Sequence, residues 1–287
     1  MSADTPLRLG ISPCPNDTFI FSALLDGRAA VPGHKVKPTL LDVEELNYRA
    51  RKGEFDVCKI SVAAAADMAE DWLLLRAGGA LGRGVGPLLV ARSGVALEDL
   101  EGGSVAVPGL ATTGHLLLRL FARSRNLAFT PAAMVFSKVT EAVLGGRHQA
   151  GVLIHEGRFT YADYGLEALM DLGAWWEEAY DMPVPLGVIA VRRDLGRPLA
   201  RAVNQAIIQS LETARRDRDS VMDFVRLNAQ ELELSVIEQH IETFVTDYSL
   251  DVGEEGERAC LALLREAARM SGKTLSESGL FLARGAA

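Results

Sequence analysis

Gly78-Gly79-Ala80-Leu81-Gly82-Arg83-Gly84-Val85-Gly86-Pro87-Leu88-Leu89-Val90-Ala91-Arg92 decides the fold, because a glycine-rich run here opens an apolar strand that crosses from one lobe to another. The chain before it has a βα rhythm. Leu7, Leu9 and Ile11 alternate with Arg8 and Gly10, the period-2 pattern of a strand, and Ser12-Pro-Cys-Pro-Asn-Asp-Thr18 leads into an apolar helix closed by Gly27. A second strand is predicted from Val36 to Leu41. Asp42, with Glu45 three residues on, then starts a helix that ends near Gly53. Phe55 to Ser61 is a third strand, running into an alanine-rich helix from Val62 to about Asp71 with Ser61 as its N-cap.

The same grammar continues after the crossing. Ser104 to Val107 reads as a strand, Pro108 to Gly114 as a loop, and His115 to Arg125 as a helix carrying Leu116, Leu117, Leu118, Leu120 and Phe121. Met134 to Phe136 and Gly151 to Ile154 add two strands. Pro185-Leu-Gly187 then opens Val188 to Arg192, the strand that returns to the first lobe. Two crossings predict an α/β protein with its ligand cleft between two lobes: residues 1–92 begin lobe 1, 93–187 form lobe 2, and 188–287 return to lobe 1. The last part is helical, with apolar residues at three- and four-residue spacing in Leu199 to Arg216, Val221 to Asn228, Ser235 to Val245 and Glu257 to Ser271.

Composition narrows the partners. The 287 residues are 48% hydrophobic and 24% charged, a folded-protein balance, and 30 Lys and Arg against 38 Asp and Glu give a net charge of −8. No basic block points to nucleic acid, so an anionic ligand must be held by local devices. Cys14, Cys58 and Cys260 are odd in number and have no C-x-x-C spacing, which fits a reducing compartment. The N-terminus has no basic segment followed by a long apolar one, and no run of about 18 apolar residues occurs. A cytoplasmic location without a membrane span is the expectation.

Three loops could supply those devices: Asn16-Asp17-Thr18, Lys59-Ile60-Ser61 and Thr112-Thr113-Gly114 each join a strand to a helix. Helix N-termini present orphan N–H groups and about half a positive charge, which suits carboxylates, although the same residue types are also ordinary caps. Lys59 is unusual on an apolar strand. It could fix a substrate carboxylate, form a Schiff base, or snorkel from the strand end. Ala150-Gly-Val-Leu-Ile-His155-Glu156-Gly157-Arg-Phe-Thr-Tyr161 ends an apolar strand in a histidine, either a proton-transfer group facing the cleft or a packed residue. Asp17 could orient His155 or the substrate, or cap its helix. His34 and His240 read as surface residues, His115 as the start of a helix and His148 as part of a turn. Gly82-x-Gly84-x-Gly86 lacks dinucleotide spacing, Ser271-Gly-Lys-Thr274 lacks the first glycine of a phosphate loop, and no Gly-x-Ser-x-Gly elbow or metal-ligand spacing is present. Nucleotide, metal and serine-hydrolase readings therefore lack motif support.

Ser12-Pro-Cys-Pro-Asn-Asp-Thr-Phe-Ile-Phe21, Lys59-Ile-Ser61, the glycine run to Pro87, Pro108-Gly-Leu-Ala-Thr-Thr113, Gly151 to Tyr161 and Pro185-Leu-Gly187 together resemble the 1,4-dihydroxy-6-naphthoate synthase family of the futalosine route to menaquinone. The resemblance covers the chain up to its C-terminal helices. Its departures, Gly114 after the threonine pair and Val184 between the prolines, lie outside the implied chemistry. It implies a type 2 periplasmic-binding-protein-like fold and a cofactor-free lyase reaction. Cyclic dehypoxanthinyl futalosine becomes 1,4-dihydroxy-6-naphthoate with loss of a small sugar-derived fragment. It also implies that His155 is the proton acceptor, that Lys59, Ile60 and Ser61 line the substrate, and that Thr112 and Thr113 bind it. Asn16, Asp17 and Thr18 are the remaining substrate-binding candidates. The partner so implied is a small anionic aromatic precursor, and a homodimer is compatible with the sequence. The rival readings are a chorismate dehydratase of the same pathway and a non-catalytic cytoplasmic solute sensor.

Overall fold

The structure, a computed structural model, describes residues 5–229 and 233–284. Its first sheet starts with β1 (Leu7–Ile11), which runs parallel to β2 (Val36–Leu40) on one side and to β3 (Val57–Ser61) on the other. The connections are α1 (Pro15–Leu25), buried from Pro15 to Leu24, and α2 (Val43–Arg51), whose N-cap Asp42 accepts from Glu44 N. All five residues of β3 are buried, as expected of a strand covered on both faces.

The alanine-rich helix is shorter than its composition predicts. α3 covers only Val62–Ala65, after which turns lead to β4 (Trp72–Leu74) and β5 (Ala80–Gly82). A helix carried on to Asp71 would advance about 1.5 Å per residue and take Trp72 away from the sheet it must join. Strand pairing therefore overrides alanine propensity.

The second sheet consists of β6 (Leu88–Arg92), β7 (Ser104–Val107), β8 (Thr130–Ala133), β9 (Ala150–Leu153) and β10 (Leu166–Asp171), in the order β10-β6-β9-β7-β8. α4 (Thr113–Ser124), α5 (Val139–Leu144), α6 (Gly157–Thr160) and α7 (Leu172–Tyr180) lie between or after these strands. The strand expected at Met134 to Phe136 is displaced. The parallel register Ser104↔Thr130 to Val107↔Ala133 uses the residues just before it, and Phe136 falls in a 3-10 turn.

The return strand is β11 (Val184–Arg192), which is antiparallel to β3, β4 and β5 inside the first sheet. The expected boundaries at 92/93 and 187/188 accordingly fall at the far end of β6 and within β11. The chain changes sheet between Gly82 and Leu88 and again between Tyr180 and Val184. α8 (Arg197–Arg216), α9 (Asp219–Asn228), α10 (Leu234–Phe244) and α11 (Gly253–Met270) complete the helical C-terminal region. Val203, Ile207 and Leu211 of α8 pack with Phe19, Ile20 and Phe21 of α1 in the core of the first lobe. Among the described residues, no helix is long and apolar enough to cross a membrane.

Candidate active site

Strand ends from both sheets converge on one cavity: the first turn of α1 contributes Asn16 and Asp17, β3 contributes Lys59 and Ser61, the start of α4 contributes Thr112, Thr113 and Gly114, and the segment after β9 contributes His155. The remaining wall includes Ser12, Arg158, Leu186 and Phe244.

Asp17 is the hub of the first-lobe wall. Its Oδ1 accepts from Lys59 Nζ at 2.6 Å and from Asn16 Nδ2 at 3.0 Å, while Oδ2 accepts from Ser12 N at 3.0 Å and Ser12 Oγ at 2.8 Å. The two charged side chains are only 1% and 7% exposed. Asp17 therefore neither caps α1, whose N-cap is Cys14, nor bonds to His155. It holds Lys59 in place and neutralises it. Ser61 Oγ accepts from Asn47 Nδ2 at 3.0 Å, and Ser61 N donates to Asn47 Oδ1 at 2.9 Å. The hydroxyl hydrogen of Ser61 remains to donate toward the cavity.

Alternation along β3 separates the predicted triplet. Lys59 and Ser61 reach the cavity, whereas Ile60 is fully buried in the apolar core. Thr18 also stays out of the cavity, its Oγ1 donating to Cys14 O at 3.1 Å inside α1. The two threonine hydroxyls are engaged internally. Thr112 Oγ1 donates to Gly109 O at 2.8 Å and caps His115 N at 3.2 Å, while Thr113 Oγ1 donates to Leu186 O at 2.8 Å and accepts from Ala63 N at 3.3 Å. What this loop offers a ligand is the pair of N–H groups of Thr113 and Gly114 in the first turn of α4.

His155 lies two residues beyond β9 in the left-handed region, with φ of +53°. A non-glycine residue there is held by its surroundings, and such strain collects at functional sites. Its ring packs against Phe136, with centroids 4.9 Å apart, and lies parallel to that of His240 at 6.0 Å. Neither ring nitrogen bonds to another described residue, so aromatic packing, not a carboxylate, sets its plane. Burial lowers its pKa from 6.5 to about 4; Asp17 opposes that shift and Lys59 adds to it. The imidazole is thus neutral and able to accept a proton well below neutral pH.

His240 corrects the surface reading: it is fully buried, with Nε2 3.0 Å from Asn16 Oδ1. A signal for it exists in the sequence, since Ile237, His240, Ile241 and Phe244 share one apolar stripe at three- and four-residue spacing. Arg158, which the sequence pattern does not single out, lines the cavity, donates to the Gly86 carbonyl and pairs with Asp171 at 3.3 Å. The fold also gathers Cys14, His155 and Glu156 with ligand atoms within 4.8 Å of one another, a grouping that sequence spacing does not reveal. Burial, then the Glu156 charge, pushes the Cys14 thiol well above its usual pKa. The grouping could hold a divalent ion only with loss of that proton.

Known proteins share both sequence and fold with this chain. The menaquinone biosynthesis family model matches residues 7–269. A protein named 1,4-dihydroxy-6-naphtoate synthase from Thermus thermophilus is 49% identical over 261 residues, 91% of this chain and 93% of that protein. A Streptomyces coelicolor protein of the same name is 43% identical over 271 residues, 93% and 94% of the two chains. The ligand-binding component of an ABC-type import system from Staphylococcus aureus superposes with a TM-score of 0.71 at 13% identity, covering 98% of this chain and 97% of its own. That likeness fixes the architecture as periplasmic-binding-protein-like. With the model matched over nearly its whole length, the chain belongs to the menaquinone biosynthesis family.

Proposed function

We propose that this protein is a 1,4-dihydroxy-6-naphthoate synthase, a lyase that converts cyclic dehypoxanthinyl futalosine to 1,4-dihydroxy-6-naphthoate in the cytoplasm, with His155 as the proton acceptor. One observation carries the chemistry: an imidazole in a strained turn at the cavity wall, with no hydrogen bond from its ring to a described residue and its pKa pushed down by burial. The names of relatives at 49% and 43% identity supply the product, 1,4-dihydroxy-6-naphthoate, and the family resemblance supplies the substrate. His155 removes a proton from the substrate ring, the sugar-derived fragment leaves, and aromatisation draws the elimination forward. The Thr113 and Gly114 N–H groups and the Ser61 hydroxyl receive the substrate's anionic oxygens. Enclosure of the cavity keeps water from the reacting ring.

Incubation of the purified protein separately with cyclic dehypoxanthinyl futalosine and with chorismate, followed by mass spectrometry, tests the reading. Naphthoate is expected from the first and no product from the second. Dehydrated chorismate would indicate the sibling activity, and binding without turnover a sensor. His155→Ala and His155→Asn are expected to lower kcat by about 10²- to 10⁴-fold with Kd largely unchanged. Naphthoate formation at near wild-type rate by either variant would remove His155 from the mechanism.

A further inference from the structure

His240 is a buried polar group with a defined hydrogen-bonding role, contributed by a helix far in sequence from the other site residues. Which atom donates in its contact with Asn16 follows from the groups behind it. Lys59 Nζ can only donate and an ionised Asp17 can only accept, so the Asn16 amide must turn its NH₂ to Asp17 Oδ1, at 3.0 Å. Asn16 Oδ1 is thereby presented to His240, and His240 Nε2 must carry the hydrogen at 3.0 Å. Its Nδ1 then bears the lone pair and has no partner among the described residues. The ring is also a wall. It lies within 6° of parallel to the His155 imidazole, and Phe159 and Phe244 pack against it at 6.3 and 4.6 Å between centroids. His155 and Phe159 follow β9 of the second sheet, whereas α10 belongs to the chain that has returned to the first.

We infer that His240 is a positioning residue: its Nε2–H fixes Asn16 at the cavity wall, and its ring face fixes the plane of the His155 imidazole across the interface between the lobes. The inference rests on His155 as the base. It adds that the base is aimed by an aromatic surface from the opposite lobe. A base displaced by about 1 Å can lose on the order of 10²-fold in rate, so tilting the His155 plane affects the chemical step while the Thr113, Gly114 and Ser61 donors continue to bind substrate.

Three variants separate the two roles. His240→Gln keeps a donor near the Nε2 position, His240→Phe keeps the ring face without a donor, and His240→Leu keeps neither. The expected result for His240→Leu is kcat lowered by about 10- to 100-fold with KM changed less than about threefold, and partial recovery of kcat in both His240→Gln and His240→Phe. Calorimetric binding of the product, 1,4-dihydroxy-6-naphthoate, to each variant reports whether the cleft is intact, and its Kd is expected to stay near wild type. Wild-type kcat in His240→Leu would overturn the inference, as would equal losses in all three variants with Kd weakened in parallel, the mark of a purely structural residue. His155→Ala, measured alongside, distinguishes the two levels. If it is inactive while His240→Leu is fully active, the positioning role alone fails; if it is active, the base assignment falls and this inference with it.

Discussion

The Asp17–Lys59 pair makes opposite predictions for its two halves. Asp17→Ala removes the acceptor for Lys59 Nζ, Ser12 N, Ser12 Oγ and Asn16 Nδ2 together, leaving a 7%-exposed ammonium with no carboxylate beside it. Stranding one member of a buried pair costs about 3–5 kcal/mol, and each orphaned neutral donor adds about 1 kcal/mol or more. Lys59→Met leaves the Asp17 carboxylate with its other three donors and replaces a long stem by one of similar volume, so its cost is expected to be about 1–3 kcal/mol. Urea unfolding followed by tryptophan fluorescence measures both. Asp17→Ala is expected to lose at least about 2 kcal/mol more than Lys59→Met, with Asp17→Asn, which keeps the shape and one acceptor, between them. Costs equal within about 0.5 kcal/mol, or a larger cost for Lys59→Met, would refute the view that the carboxylate organises this wall and the lysine depends on it.

Acid should destabilise the fold through its buried histidines. Burial lowers the pKa of His155 to about 4 and that of His240 well below its ordinary 6.5, so the stability from keeping them neutral is complete above pH 6.5. It is lost as pH falls below 6.5, down to about 4 for His155, where only the unfolded chain takes up the protons, at up to about 1.4 kcal/mol per pH unit for each histidine. A urea midpoint that did not fall between pH 7 and 5 would contradict this, and the acid limb of kcat/KM is expected near pH 4, not 6.5. Gly86→Ala should destabilise by about 1–3 kcal/mol or more, because the new Cβ would lie 2.1 Å from Gly173 Cα, a backbone atom that cannot rotate away. An unchanged unfolding midpoint would show that the Gly86–Gly173 approach can relax.

Much of the architecture was legible because it is local. The period-2 runs at Leu7 to Ile11 and Ser104 to Val107 and the polar loops after them depend on neighbours in sequence, and the structure keeps them as β1 and β7. The misplaced elements depend on distant partners. Val62 to Asp71 has helical composition, but β4 must reach β11, more than a hundred residues ahead. Met134 to Phe136 looks as strand-like as its neighbours, and only the register with β7 selects Thr130 to Ala133. Strand alternation could have excluded Ile60 from the cavity, given that Lys59 faces it. His240 differs from its surface expectation because a histidine among polar neighbours looks exposed until the apolar stripe through Ile237, Ile241 and Phe244 is weighed. Its contact with Asn16, 224 residues away, is invisible to any local pattern.

The same distinction governs how a protein of net charge −8 can hold an anion. Lys59 looked like the cationic anchor, yet its charge is matched by Asp17 at 2.6 Å, and the guanidinium of Arg158 is matched by Asp171. Both cavity cations are therefore locally compensated, and their main effect is to fix geometry. The attraction left for a carboxylate comes from dipoles: the first-turn N–H groups of α4, although the Glu44 carboxylate already accepts from Ala111 N just before that helix, and the hydroxyl hydrogen of Ser61. These donors are set by backbone conformation and by Asn47, so they need little reorganisation when the ligand arrives. The proton affinity of His155 is set first by its burial, with the Asp17 charge opposing that shift and Lys59 reinforcing it.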